Sequence, residues 1–161
     1  MSKKRKGISN QDLMIAGAVG AGAYVLSKAR AASNLDVTPG LPKQLRVSLG
    51  QGQLTFLLPL NFWNRTATNI NIQSLDLTVS INTATVGRAY RYEKFRINPS
   101  GQTQADAIVN IQLLDLISII PEIRDLVQGK TIQFNFNGFV KAELLNFPVQ
   151  FSQSIKIPRI I

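Results

Sequence analysis

The sequence predicts a mainly β domain of antiparallel strands with one helical connection, preceded by an N-terminal apolar helix. Three observations carry this expectation. Apolar residues recur at every second position in several runs, most clearly Ile70 and Ile72, then Leu75, Leu77, Val79 and Ile81, which is the period of a strand with one buried and one wet face. A single stretch, 113–129, spaces Leu113, Leu116, Ile117 and Ile120, then Ile123, Leu126 and Val127, by three and four residues, a helical period. Residues 13–26 form an uncharged run of fourteen, bounded by Lys28 and Arg30.

The chain begins with four consecutive cations, Lys3, Lys4, Arg5 and Lys6. Residues 1–43 hold seven Lys/Arg against Asp12 and Asp36, so +5 of the formal net charge of +9 lies there. Such a block favours anionic partners, either lipid headgroups or nucleic acid. The apolar run beside it contains Leu13, Met14, Ile15, Val19, Tyr24, Val25 and Leu26. As a helix it would reach about 21 Å, short of the roughly 30 Å hydrocarbon layer, unless Lys28 and Arg30 snorkel or the bilayer thins. Ala16 with Gly20 and Ala18 with Gly22 have the small-xxx-small spacing of close helix contacts. Three readings stay open: a membrane anchor, a cleaved secretory signal, or a helix packed in a protein assembly.

Residues 33–43 read as an extended tether, since Thr38-Pro39-Gly40 and Pro42 oppose helix and continuous strand. The division is therefore 1–32 basic tail and anchor helix, 33–43 linker, and 44–161 β domain. The first strand, 45–49, turns Leu45, Val47 and Leu49 inward. Gly50-Gln51-Gly52 leads into 53–63, where Leu54, Phe56, Leu58, Leu60 and Phe62 share a face and Pro59 marks an edge or bulge. Asn64-Arg65-Thr66 turns into the central strands. Gln73-Ser74-Leu75 shifts the alternation, as a β-bulge does.

Residues 85–97 interleave Arg88, Arg91, Lys94 and Arg96 with Tyr90, Tyr92 and Phe95. That mixture suits stacking and phosphate pairing on single-stranded nucleic acid, and equally a solvated sheet surface. After a turn at 98–101 comes a strand at 102–113, then the helical piece, with Pro121 starting its second half and Gly129 as its C-cap. Two strands, 131–143 and 149–157, close the domain as a hairpin turned at 145–148.

The sequence contains neither Cys nor His. Disulfides, thiolate metal sites, cysteine nucleophiles and histidine general bases are thereby excluded. Nine carboxylates are scattered without a catalytic or metal-binding spacing. The expectation is a protein that is not an enzyme, with no cofactor, no metal and no small-molecule substrate.

Residues 45–159 resemble the late-embryogenesis-abundant (LEA) type-2 family and the related water-stress and hypersensitive-response (WHy) domain. The resemblance rests on Leu60-Asn61-Phe62-Trp63-Asn64-Arg65-Thr66, the isoleucine-rich strand 69–81, the turn into Val86-Gly87, the long strand feeding a Leu/Ile-rich helix, and a last hairpin broken by Phe147-Pro148. It implies an antiparallel immunoglobulin/fibronectin-like β-sandwich with one helix and no catalytic site. Two functional readings follow. The first is a structural protein that fixes the sandwich to a membrane or membrane-associated assembly, a minor capsid or vertex protein of a membrane-containing phage being one candidate. Its membrane contact would use Leu13, Met14, Ile15, Val19, Tyr24, Val25 and Leu26, and its anionic contact Lys3, Lys4, Arg5, Lys6, Lys28 and Arg30. The alternative is a stress-type or periplasmic binding domain of the LEA type-2 fold, cytoplasmic or periplasmic in location. Nucleic-acid binding through the basic N-terminus is a third.

Overall fold

Alternating apolar residues become paired strands in the computed structural model, which describes residues 34–119, 131–143 and 145–156. The elements are β1 (Leu35–Pro39), β2 (Lys43–Ser48), β3 (Gln53–Asn64), β4 (Ile70–Ile81), β5 (Ala84–Arg91), β6 (Phe95–Ile97), β7 (Gly101–Gln112), α1 (Leu113–Ile119), β8 (Thr131–Ala142) and β9 (Asn146–Lys156). All strand pairs are antiparallel. They join in one sheet of order β1-β3-β7-β5-β4-β8-β9, with β2 also beside β3 and β6 beside β4. The two ends of that order, β1 and β9, face each other across a shallow groove of about 440 Å³. The sheet is therefore nearly a barrel.

This differs from two separate sheets. The cause is β5, which pairs with β4 along one side and, from Gly87 to Tyr90, with β7 along the other. The inward residues of β3, β4, β7 and β8 form one core, with Phe62, Phe134, Phe136, Leu77 and Ile111 fully buried. Leu116 of α1 is buried in the same cluster, so the helix covers one end of it. The main-chain N–H of Leu113 donates to Gly52 O at 2.8 Å, which ties the start of α1 to the β2–β3 turn.

The predicted inward face of β3 is confirmed, and so is the bulge in β4, where the register against β8 slips between Ile72 and Ser74. The edge or bulge expected at Pro59 is absent, since β3 is paired on both sides and keeps its register against β7; Pro59 lies instead opposite the break between β1 and β2, where its missing N–H costs β3 nothing on that side. Other expectations need correction. The run expected as a tether contains β1, whose residues pair from Leu35 with Asn64 to Pro39 with Leu60; Pro39 is tolerated because it ends an edge strand. Leu49 is 67% exposed, because β2 stops at Ser48. The single strand expected over 85–97 is β5 and β6, separated at Tyr92-Glu93-Lys94 and both paired with β4. The last hairpin turns before Asn146, closed by Ala142 N donating to Leu145 O at 2.8 Å. Pro148 consequently sits inside edge strand β9, opposite Phe139. The apolar helix and basic tail of 1–32, and the second half of the helical connection with Gly129, lie outside the described residues.

Two glycines let the sheet bend this tightly. A Cβ on Gly87 would stand 2.1 Å from Asn110 O in β7, and one on Gly138 would stand 2.2 Å from Asp76 O in β4. Both obstacles are backbone, which cannot rotate aside. Gly138→Ala is expected to destabilise by about 3 kcal/mol or more in urea unfolding, since relief requires moving paired strands. A loss below about 1 kcal/mol would contradict the close approach.

Asn64 is the buried polar residue of the described core, at 1% exposure. Its Nδ2 donates to Thr68 O at 2.7 Å and to Asn98 O at 3.2 Å. Its Oδ1 accepts from Thr66 N at 3.0 Å and from Thr66 Oγ1 at 2.8 Å. Ser100 N donates to Thr66 O at 2.8 Å, so the β3–β4 loop and the β6–β7 turn are held as one unit. Replacement by an apolar residue strands those partners in a dry site. Asn64→Leu should therefore cost about 2–4 kcal/mol by the same urea assay, whereas near-neutral behaviour would show the network to be dispensable.

Candidate functional site

The residues singled out for membrane contact, Leu13, Met14, Ile15, Val19, Tyr24, Val25 and Leu26, lie outside the described residues, as do Lys3, Lys4, Arg5, Lys6, Lys28 and Arg30. Among the described residues no helix is long and apolar enough to cross a membrane.

The basic and aromatic stretch 85–97 falls among the described residues, and two of its four cations, Arg88 and Arg91, are engaged. Arg88 forks onto Asp76, Nε reaching Oδ1 at 3.3 Å and Nη2 pairing with Oδ2. The hydrogen bond that Arg88 donates to Asp76, and then the charge of Asp76, raise the Arg88 pKa further above the ordinary guanidinium value. Arg91 points inward at the end of β5, donating to Asp106 O at 3.0 Å and pairing with Glu93 at 3.1 Å, while its guanidinium lies 5.4 Å from the centre of the Phe95 ring. Tyr90 and Tyr92 stack on each other at 5.2 Å. Further carboxylates are also matched: Asp36 with Arg65 at 2.8 Å, and Asp106 with Lys43 at 3.9 Å. These pairs are partly or largely exposed, so their main effect is to cancel charge locally rather than to add stability. No cluster of three potential metal ligands occurs among the described residues.

Register brings the outward side chains of separate strands into rows. One row runs Pro148, Phe139, Asp76, Tyr90, Ile108 and Leu57 across β9, β8, β4, β5, β7 and β3. The next runs Gln150, Asn137, Thr78, Arg88, Asn110 and Thr55 across the same strands. A row that is apolar or aromatic but for Asp76 thus lies against a wholly polar one. Phe139 is 60% exposed and Ile108 43%. In the central strand β4 the outward residues beyond Asp76 are the short Thr78 and Ser80, while the flanking strands carry the longer Arg88, Asn137 and Phe139. That difference in length leaves an open groove of about 690 Å³, lined by Asp76, Thr78, Ser80, Thr83, Thr85, Arg88, Asn137, Gly138 and Phe139.

No family model matches the sequence, and no curated protein does. Solved structures do. An Arabidopsis thaliana protein of known solution structure superposes with a TM-score of 0.52 at 16% identity, over 78% of this chain and 80% of its own. The fold is LEA type-2 or WHy-like. An Archaeoglobus fulgidus protein matches at TM-score 0.49 and 12% identity, over 79% of this chain and 97% of its own. A protein described as late embryogenesis abundant matches at 0.46 and 12%, over 88% and 87%.

On this LEA type-2-like fold the groove sits on the outer face, away from the core. Sequence reasoning missed it for a definite reason. Asp76, Thr78 and Ser80 were visible as the wet side of one strand, but only register brings Arg88 and Asn137 beside them. The available signal was the unusually short, polar alternation of Asp76, Thr78 and Ser80, the last two bearing hydroxyls, in the strand with the strongest β pattern.

Proposed function

We propose that the chain is a non-enzymatic, stress-type binding domain of the LEA type-2-like class. The observation that supports this most is its outer surface, where the exposed Phe139 and Ile108 stand in a row that is apolar but for Asp76, beside a polar row whose one charge, Arg88, is paired with that Asp76. Such a surface makes many weak contacts with partly exposed apolar surface on other proteins and performs no covalent step. In a thermal aggregation assay with citrate synthase as client, the full chain should suppress light scattering beyond an equal mass of albumin. Replacing Phe139 and Tyr92 by Ser should remove about half of that protection, since exposed apolar area is what the client meets. Suppression no better than that of albumin would overturn the reading.

A second reading, tethering to a membrane, is favoured by one observation in the sequence: Lys3, Lys4, Arg5 and Lys6 precede the uncharged run 13–26 by six residues. Basic residues at an anionic surface and an adjoining apolar segment are complementary anchoring signals. A place in a membrane-containing virion would use the same segment. Full-length protein should float with phosphatidylserine vesicles, and changing the four cations to Ser should weaken partitioning by about a hundredfold or more. Protein that stays with the soluble fraction in both forms would remove the tether.

A further inference from the structure

The groove over β4 has a chemistry more specific than general contact with clients. Its lining includes one carboxylate and one guanidinium, Asp76 and Arg88, already forked onto each other. The remaining polar lining is uncharged: the hydroxyls of Thr78, Ser80, Thr83 and Thr85 and the amide of Asn137. The lining thus carries no uncompensated charge. Phosphate groups would find no free cation there, and a metal ion would find a single carboxylate. An apolar ligand would have to cover a floor of hydroxyls and leave them without water.

The geometry suits a different ligand. Residues 76 to 80 extend the trough by about 14 Å along β4, and the spacing of the strands on either side makes it about 10 Å across. In the fork, each Asp76 oxygen retains a lone pair and Arg88 retains Nη1 hydrogens, so a pair of neighbouring hydroxyls can donate to one and accept from the other. Thr78 and Asn137, side by side in the next row, offer a further donor and acceptor. Phe139 stands directly opposite Asp76 and is largely exposed, so it presents an apolar surface beside this polar set. A ring with hydroxyls around its rim and C–H bonds on its face matches both parts.

We propose that this groove binds a neutral carbohydrate, with Phe139 against the C–H face of one sugar ring and Asp76, Arg88, Thr78 and Asn137 sharing its hydroxyls. The proposal goes beyond the protective role and stands on the groove alone. An open site of this kind gives weak binding, because a sugar exchanges hydrogen bonds with water for hydrogen bonds with protein.

The test is a titration of the full-length chain, 15N-labelled, with maltose and with cellobiose up to about 50 mM, a range that detects millimolar dissociation constants. At least one disaccharide should move the amide signals of residues 76–85, 88 and 137–139 together, with saturation, leaving those of β1 and β9 unmoved. Phe139→Ala and Thr78→Val should each weaken binding at least about fivefold, while the melting temperature and the remaining spectrum stay unchanged. Sodium phosphate and oligothymidylate serve as charged probes. The proposal is overturned if neither disaccharide moves these signals, if both variants bind as the parent does, or if a charged probe moves the same signals in a salt-dependent way.

Discussion

The pairing of β5 with both β4 and β7 is the constraint on which the rest of this structure depends. Through it, strands that would otherwise form two layers become one sheet around one core. Bending a sheet so sharply brings backbone onto backbone, and at Gly87 the nearest carbonyl oxygen leaves no room for a Cβ. The register slip between Val79 and Ser80 makes Val86 the extra residue of β5. That bulge turns Val86 into the core immediately before the glycine. Local twist and close approach are thus supplied by two adjacent residues.

The same register determines the outer surface. With the inward residues of β4 committed to the core, Asp76, Thr78 and Ser80 must face out, and the strands on either side deliver Arg88, Asn137 and Phe139 to them. Polar groups at the other end are handled differently. Asn64 is drawn inside and fully bonded, which joins two loops far apart in sequence. One end of the domain is therefore held by a buried polar network, while the face over β4 keeps its polar groups available to solvent and ligand.

Much of this was legible from the residues. Strict alternation located the inward faces of β3, β4, β7 and β8, because burial on one side of a strand leaves a period of two. The bulge after Ile72 was visible as a break in that period. What alternation cannot carry is partnership. That Leu35 to Pro39 form an edge strand depends on β3 lying beside them, and prolines in that stretch argued locally for a tether. The split between β5 and β6 depends on the bulge in β4 opposite. The groove depends on three strands in register, so no single segment could reveal it. The LEA type-2-like pattern indicated the fold through Asn64 and its neighbours, and it offered no guide to the ligand-facing side.

The most direct test of the continuous sheet is a set of cross-strand nuclear Overhauser contacts between β5 and β7, recorded with amide exchange on the same sample. The account predicts contacts linking Gly87 with Ile111, Arg88 with Asn110, Ala89 with Val109 and Tyr90 with Ile108, together with slow exchange of the β5 amides that bond to β7. If those contacts are missing and β5 exchanges on that side as an open edge does, the domain is two separate sheets and the account is wrong.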